Sequence, residues 1–235
     1  MKLLVESVVK KFGNLAAVND CSLAIQGDGI FGLVGPNGSG KTTLFNVISG
    51  FLSPDEGRII FGETNIARKN PIAITKLGIA RTFQLPRVFA NLTVEENLEA
   101  SSFGRIPSQK LQELIETFGL KEVRKALASS ISYGQKKQLE LARVLSMNPS
   151  LLLLDEPTSG LEPSLIKVTV DQIKYVRELG KSIFIIEHNM NVIMNLAERI
   201  FVLNNGQKIA EGSPSEIKAD DRVVDAYLGR SEEGI

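Results

Sequence analysis

GPNGSGKTT (residues 35–43) stands between the apolar run GIFGLV (29–34) and the segment LFNVISG (44–50). The spacing G-x-x-x-x-G-K-[ST] runs from Gly35 to Thr42. A helix that starts here leaves its first N–H groups unpaired and carries partial positive charge at that end. Glycines let the loop curl so that its amides converge on one concave site, and they let backbone approach a ligand closely. Lys41 adds a full charge for terminal phosphates, and the Thr42 hydroxyl suits Mg²⁺, which takes oxygen ligands. A strand before and a helix after are the context this motif requires. Gly35, Pro36, Asn37, Gly38, Ser39, Gly40, Lys41, Thr42 and Thr43 therefore form a candidate nucleotide-phosphate cradle.

Two further runs share the character of GIFGLV. LLLLDE (151–156) and SIFIIEH (182–188) are apolar on both alternating faces and turn polar at their C-terminal ends. Strands of a parallel sheet covered by helices on both sides read this way. Helices fall between them: KTTLFNVISG closes on Gly50, and PSLIKVTVDQIKYVRELG opens on Pro163 and closes on Gly180. Ile166, Val170, Ile173 and Val176 share one face of the second. The expected fold class is α/β with a mostly parallel sheet.

In such a sheet the ligand crevice lies at the carboxyl ends of the strands. Asp155 is then placed to hold Mg²⁺, directly or through water. Glu156, one residue on, is placed to orient or deprotonate a water attacking a γ-phosphate. His188, the one histidine in the chain, ends its strand at the same edge and can reach that phosphate. Gln84, in ARTFQ (80–84), is expected at the end of another strand, where its amide can touch Mg²⁺ or the attacking water. The competing reading of each is a solvated polar residue at a strand end.

KLLVESVVKKFG (2–13), CSLAIQGDG (21–29) and GRIIFGE (57–63) read as short strands of a small antiparallel sheet packed on the core. From about Asn91 to Met147 the pattern is mostly helical, an insertion between two core strands. SYGQKKQLELARVLSM (132–147) opens one of these helices at Ser132 and Gly134, either a second anion site or a plain N-cap.

Bulk properties narrow the partners. The chain has 235 residues, with Lys+Arg and Asp+Glu both 27. A formal charge of zero gives no broad electrostatic grip on nucleic acid. One cysteine, Cys21, excludes an intrachain disulfide and fits a reducing compartment. We read no signal peptide and no apolar run approaching the ~18 residues of a spanning helix. If the protein acts at a membrane, another chain does the spanning.

Taken in order, GPNGSGKTT, Gln84, SYGQ, LLLLDEP, SGLEP and His188 resemble the ATP-binding subunits of ABC transporters, over essentially the whole chain. The resemblance implies a P-loop NTPase (RecA-like) core, an antiparallel β subdomain and an inserted helical subdomain at about 91–147, all in one ABC ATPase domain of residues 1–235. It implies ATP and Mg²⁺, with Thr42, Gln84 and Asp155 at the metal and Glu156, His188 and Gln84 in hydrolysis. It also implies a head-to-tail dimer with a second such subunit, identical or different. In that dimer Ser132, Gly134 and Gln135 would cap the nucleotide held by the opposite chain, and Ser159 to Glu162 would cross the interface. Phe12 matches the aromatic that stacks on adenine, with a core or edge aromatic as the competitor.

The further implied partners are integral membrane permease subunits, and the implied location is cytoplasmic, on the inner face of the membrane. Two positions depart from the family pattern: Tyr133 where glycine is usual, and Glu162 where Asp or Asn is commoner. GIARTFQ, RVFANLTVEENL and SYGQ are most similar to the branched-chain amino-acid uptake group. The ending EGSPSEI…VVDAYLG also fits lipopolysaccharide-export ATPases. A soluble ABC ATPase of translation or DNA repair, which usually carries two cassettes or a long coiled coil, and a non-hydrolysing regulatory subunit are the rival classes.

Overall fold

The computed structural model describes residues 2–102 and 106–228. A four-stranded sheet is built from β1 (Leu3–Phe12), β2 (Leu15–Ile25), β4 (Glu56–Phe61) and β5 (Thr64–Asn65), in the order β2-β1-β4-β5 and all antiparallel. A six-stranded sheet is built from β3 (Ile30–Val34), β6 (Ile79–Arg81), β7 (Leu151–Asp155), β8 (Ser182–Ile186), β9 (Arg199–Asn204) and β10 (Gln207–Gly212), in the order β10-β9-β3-β8-β7-β6. Its pairs are parallel except for the hairpin partner β10 at the edge.

The helices are α1 (Lys41–Ile48), α2 (Pro71–Lys76), α3 (Val94–Ser101), α4 (Ser108–Thr117), α5 (Tyr133–Ser146), α6 (Pro163–Glu178), α7 (Met190–Leu196), α8 (Pro214–Lys218) and α9 (Asp221–Leu228). A 3-10 turn covers Lys121–Val123. Gly229, the last residue of the VVDAYLG ending, lies outside the described residues.

The apolar runs are buried for the reason their pattern gives. Alternate residues of each central strand enter different cores. Leu152, Leu154, Ile183 and Ile185 face a core shared with α3, α4, α5 and α6. Leu151, Leu153, Phe184 and Ile186 face another, shared with α1 and the four-stranded sheet. Phe184 sits at the middle of the second core, its ring 5.1 Å from that of Phe45 on α1 and 5.9 Å from that of Phe201 on β9. Cys21 is buried there too, and desolvation pushes its thiol up to about 12.

Two elements differ from the sequence reading. β2 starts at Leu15, six residues before Cys21. Its first half pairs with Lys10, Lys11 and Phe12 across register shifts, and bulges break the alternation by which a strand is recognised. It is also held from the other side, since the Asn19 N–H donates to Gly206 O at 2.9 Å. β6 ends at Arg81, so Gln84 lies in a bend beyond the strand. Thr82 closes the ladder there, donating to Leu153 O at 2.9 Å and accepting from the Asp155 N–H at 3.1 Å.

Phe184→Ala removes a ring packed between two others in a fully buried site. It is expected to cost about 3–5 kcal/mol, the usual penalty for Phe→Ala in a core, read as a lowered midpoint in urea unfolding.

Candidate functional site

β3 delivers the chain to the cradle, and α1 carries it away. α1 has no side-chain cap and no acidic residue in its first turn. Its N-terminal amides thus face the loop without competition from the protein's own carboxylates or hydroxyls. Lys41 is buried; its Nζ donates to Gly35 O at 2.8 Å and Pro36 O at 2.9 Å, drawing the loop closed. Burial lowers its proton affinity below the lysine norm, and the nearby Glu156 and Asp155 oppose that shift.

Two of the loop's glycines answer to the protein itself. At Gly35 (φ +148°) a Cβ would stand 2.0 Å from Leu203 O of β9, and at Gly40 (φ +100°) 2.2 Å from Ala17 O of β2. No side chain fits at either. The sequence reading gave all three glycines to the ligand; Gly38 alone has open space where a Cβ would point.

A cavity of about 270 Å³ is lined by the loop from Asn37 to Thr43 together with Ala17, Gln84, Glu156 and His188. Glu156 follows β7 in a left-handed conformation, φ +49°, which costs a non-glycine residue roughly 1–2 kcal/mol. Its N–H is held by Ile186 O at 2.9 Å. Its carboxylate takes the Gln84 amide at 3.0 Å on one oxygen and lies 2.6 Å from His188 Nε2 on the other. The three residues read as hydrolytic from the sequence thus meet in one contact group at the mouth of the cradle.

A second cavity, of about 450 Å³, shares Thr42 and Gln84 with the first and adds Asn46, Arg81 and Asp155 to its lining. Thr42, Gln84 and Asp155 offer a hydroxyl, an amide oxygen and a carboxylate. That donor set suits Mg²⁺, whose remaining positions are filled by water and phosphate oxygens. Among the described residues no group of three or more His, Cys, Asp and Glu is placed to hold an ion unaided. Asp155 is buried, and one of its oxygens is already paired with Arg81 at 2.9 Å.

Several participants escaped the sequence reading. Arg81 donates to Asn46 of α1 at 2.7 Å and to Ser49, at the C-terminal cap of that helix, at 2.8 Å as well as to Asp155, and lies against Phe45, Phe51 and Phe83. Glu187 accepts from Thr158 Oγ1 at 2.6 Å and from the His188 N–H at 2.9 Å, tying two turns of the site together. On α5, Lys137 donates to Gln84 O and Glu156 O at 2.8 and 2.9 Å. Glu140 accepts from the N–H groups of Phe83 and Arg87. Burial raises the Glu140 carboxyl from 4.5 to about 7, against those two hydrogen bonds and the charges of Lys137 and Arg143. The only signal in the sequence was a run of polar residues on a helix that has no wholly polar face.

The remaining candidates lie apart from this cavity. Ser132 caps α5 with its own side chain, accepting from the Gln135 N–H at 3.2 Å, while Gln135 reaches back to the Ser132 N–H at 2.9 Å. Ser132, Gly134 and Gln135 do not line the cradle of their own chain. Phe12 ends β1 with 49% of its surface exposed, so it is not a core aromatic.

Comparison with known proteins gives a family and a fold. The family profile described as "ABC transporter" matches residues 18–159, and one described as "Branched-chain amino acid ATP-binding cassette transporter" matches residues 207–233. The chain is 36% identical to the high-affinity branched-chain amino acid transport ATP-binding protein LivG of Salmonella typhimurium, over 97% of this chain and 98% of that one. It is 31% identical to BraF of Pseudomonas aeruginosa, described in the same words, over 97% and 98%.

Among solved structures, the ADP conformation of MJ1267, an ATP-binding cassette of an ABC transporter, superposes with a TM-score of 0.87 at 33% identity, over 97% and 98% of the two chains. The dimeric ATP-binding cassette MJ0796 bound to ADP and Pi superposes with 0.80 at 25% identity, over 90% and 98%. The fold is that of the ABC ATPases.

Two outcomes are expected from the site. Gly40→Ala drives a Cβ into Ala17 O; it should cost about 2–4 kcal/mol in denaturant unfolding and weaken nucleotide retention. Glu140 binds its proton more tightly folded than unfolded, so it contributes stability below pH 4.5 that is lost as pH rises to about 7. Glu140→Gln should therefore gain on the parent chain as pH rises from 5 to 8, measured by paired unfolding curves.

Proposed function

This chain belongs to the ABC transporter family, among its ATP-binding subunits, and we propose that it hydrolyses ATP to drive uptake of branched-chain amino acids. The observation that carries the hydrolytic reading is the contact group of Gln84, Glu156 and His188 at the mouth of a glycine-shaped cradle. The substrate class rests on the LivG and BraF relatives and on the C-terminal match at 207–233.

The amides at the head of α1 and the Lys41 ammonium group bind the phosphates of ATP, with Lys41 exchanging its bonds to Gly35 O and Pro36 O for phosphate oxygens. Thr42, Gln84 and Asp155 would hold Mg²⁺, which when bound would supply positive charge to the phosphate oxygens. Glu156 orients the attacking water and accepts its proton. Gln84 and His188 hold the carboxylate in position, and the partly exposed His188 ring can turn from it toward the γ-phosphate. Phe12, half-exposed at the end of β1, stacks on the adenine.

The second half of the reading concerns partners. Ser132, Gly134 and Gln135 stand away from their own cradle, which supports their contact with nucleotide held by a second subunit in a head-to-tail dimer, homo- or heteromeric. Ser159 to Glu162 cross that interface. No helix among the described residues is long and apolar enough to cross a membrane, so integral permease subunits provide the passage, with this chain peripheral on the cytoplasmic side. Leu85 and Phe89, exposed on the segment after Gln84, are suited to meet them.

Glu156→Gln should slow phosphate release by ~10²- to 10⁴-fold, the range for loss of a general base, while a labelled ATP analogue still binds in magnesium buffer. Lys41→Ala should weaken that binding itself. Unchanged turnover in Glu156→Gln would overturn the role given to the carboxylate. In vesicles reconstituted with the membrane subunits, leucine uptake should stop with the same variant, and uptake of an unrelated solute alone would overturn the substrate class.

A further inference from the structure

Lys137 lies on α5, one turn after Gly134, and is 2% exposed. An ammonium group so deeply buried demands partners, and among the described residues no carboxylate forms a salt bridge with it. It donates to two backbone carbonyls, Gln84 O at 2.8 Å and Glu156 O at 2.9 Å. Burial lowers its proton affinity below the lysine norm, and Glu140, Glu156, Glu187 and Asp155 at longer range oppose that shift.

The identity of those two carbonyls gives the contact its meaning. Gln84 and Glu156 are already joined through their side chains at 3.0 Å, so Lys137 joins the same two residues a second time, through the main chain. Glu156 stands outside the β7 ladder with φ +49°. β8 holds its N–H through Ile186 O, and Lys137 holds its C=O. With both ends of the residue fixed, the main chain from which the carboxylate projects is fixed as well, and Gln84 and His188 hold the carboxylate itself.

We infer that Lys137 is a positioning residue for hydrolysis, setting the main chain from which Glu156 addresses the attacking water and linking it to the helix that starts at Ser132. The inference rests on the hydrolytic reading above. Any displacement of the α5 N-terminus reaches Gln84 and Glu156 together through one rigid turn of helix and one ammonium group.

The test uses the full chain with its co-purifying membrane subunits and reads two quantities: affinity for a labelled ATP analogue, and phosphate release per bound nucleotide. Lys137→Met should leave affinity within about threefold and lower kcat by about tenfold or more, a loss of the size seen when a catalytic group is misdirected. Lys137→Arg, which keeps donors, should recover most of that loss. In a Glu156→Gln background, Lys137→Met should lower residual turnover less than about twofold, because the lysine acts through the carboxylate.

If Lys137→Met loses nucleotide binding, Lys137→Gln takes its place, with an expected loss of about threefold or more at unchanged affinity. Wild-type kcat in a variant that binds nucleotide would overturn the inference. So would a full repeat of the loss in the Glu156→Gln background. Absence of phosphate release from the parent chain would instead overturn the hydrolytic reading, and the inference with it.

Discussion

The hydrogen-bond register of β3, β8 and β7 is the constraint on which the site depends. Leu33 pairs with Ile186, and Ile186 pairs with Asp155. The chain therefore leaves the sheet at Gly35, Glu156 and Glu187 along one line, and the cradle, the Glu156 carboxylate and His188 arrive within reach of one another. A slip of one residue would send Leu151 and Leu153 into the core now filled by Leu152 and Leu154 and turn Asp155 to the opposite face. The close packing of both cores makes that slip costly. Burial of leucine, isoleucine and phenylalanine far from the chemistry thus sets the distances at which the chemistry is done.

Around this edge the protein has placed a cluster of buried charge: Lys41, Lys137, Glu140, Asp155, Glu156 and Glu187, with the side chain of Arg81. Each is tolerable because it is hydrogen-bonded to backbone, to a polar side chain or to a charge of opposite sign. Arg81 binds Asp155 to α1, Glu187 binds the turn at Thr158 to the turn at His188, and Lys137 binds α5 to both Gln84 and Glu156. These contacts join pieces of chain that are far apart in sequence, which suits a site assembled from five separate segments.

The parts of this arrangement that the sequence revealed are those with a period or a motif. GIFGLV, LLLLDE and SIFIIEH could be read as buried parallel strands because each is apolar on both faces, and Pro163 and Gly180 bracketed α6. The cradle and its carboxylate partners followed from strand–loop–helix context. The parts it concealed depend on long-range contact. The early start of β2 was hidden by bulges and by its bond to Gly206. Gln84 was placed one turn too close to the sheet because nothing local marks Thr82 as the end of the ladder. Lys137, Arg81 and Glu187 are ordinary charged residues in a linear reading, and only the fold brings carbonyls to Lys137, a carboxylate to Arg81 and the Thr158 hydroxyl to Glu187.

Gly35 and Gly40 carry one more implication. Their shapes are dictated by Leu203 O and Ala17 O, strands from two different sheets, so the cradle's curvature is a property of the folded scaffold. A nucleotide meets amides already aimed inward and spends little of its affinity on ordering them. Capture can then be quick as well as tight, and the binding free energy left unspent is available for drawing two subunits together.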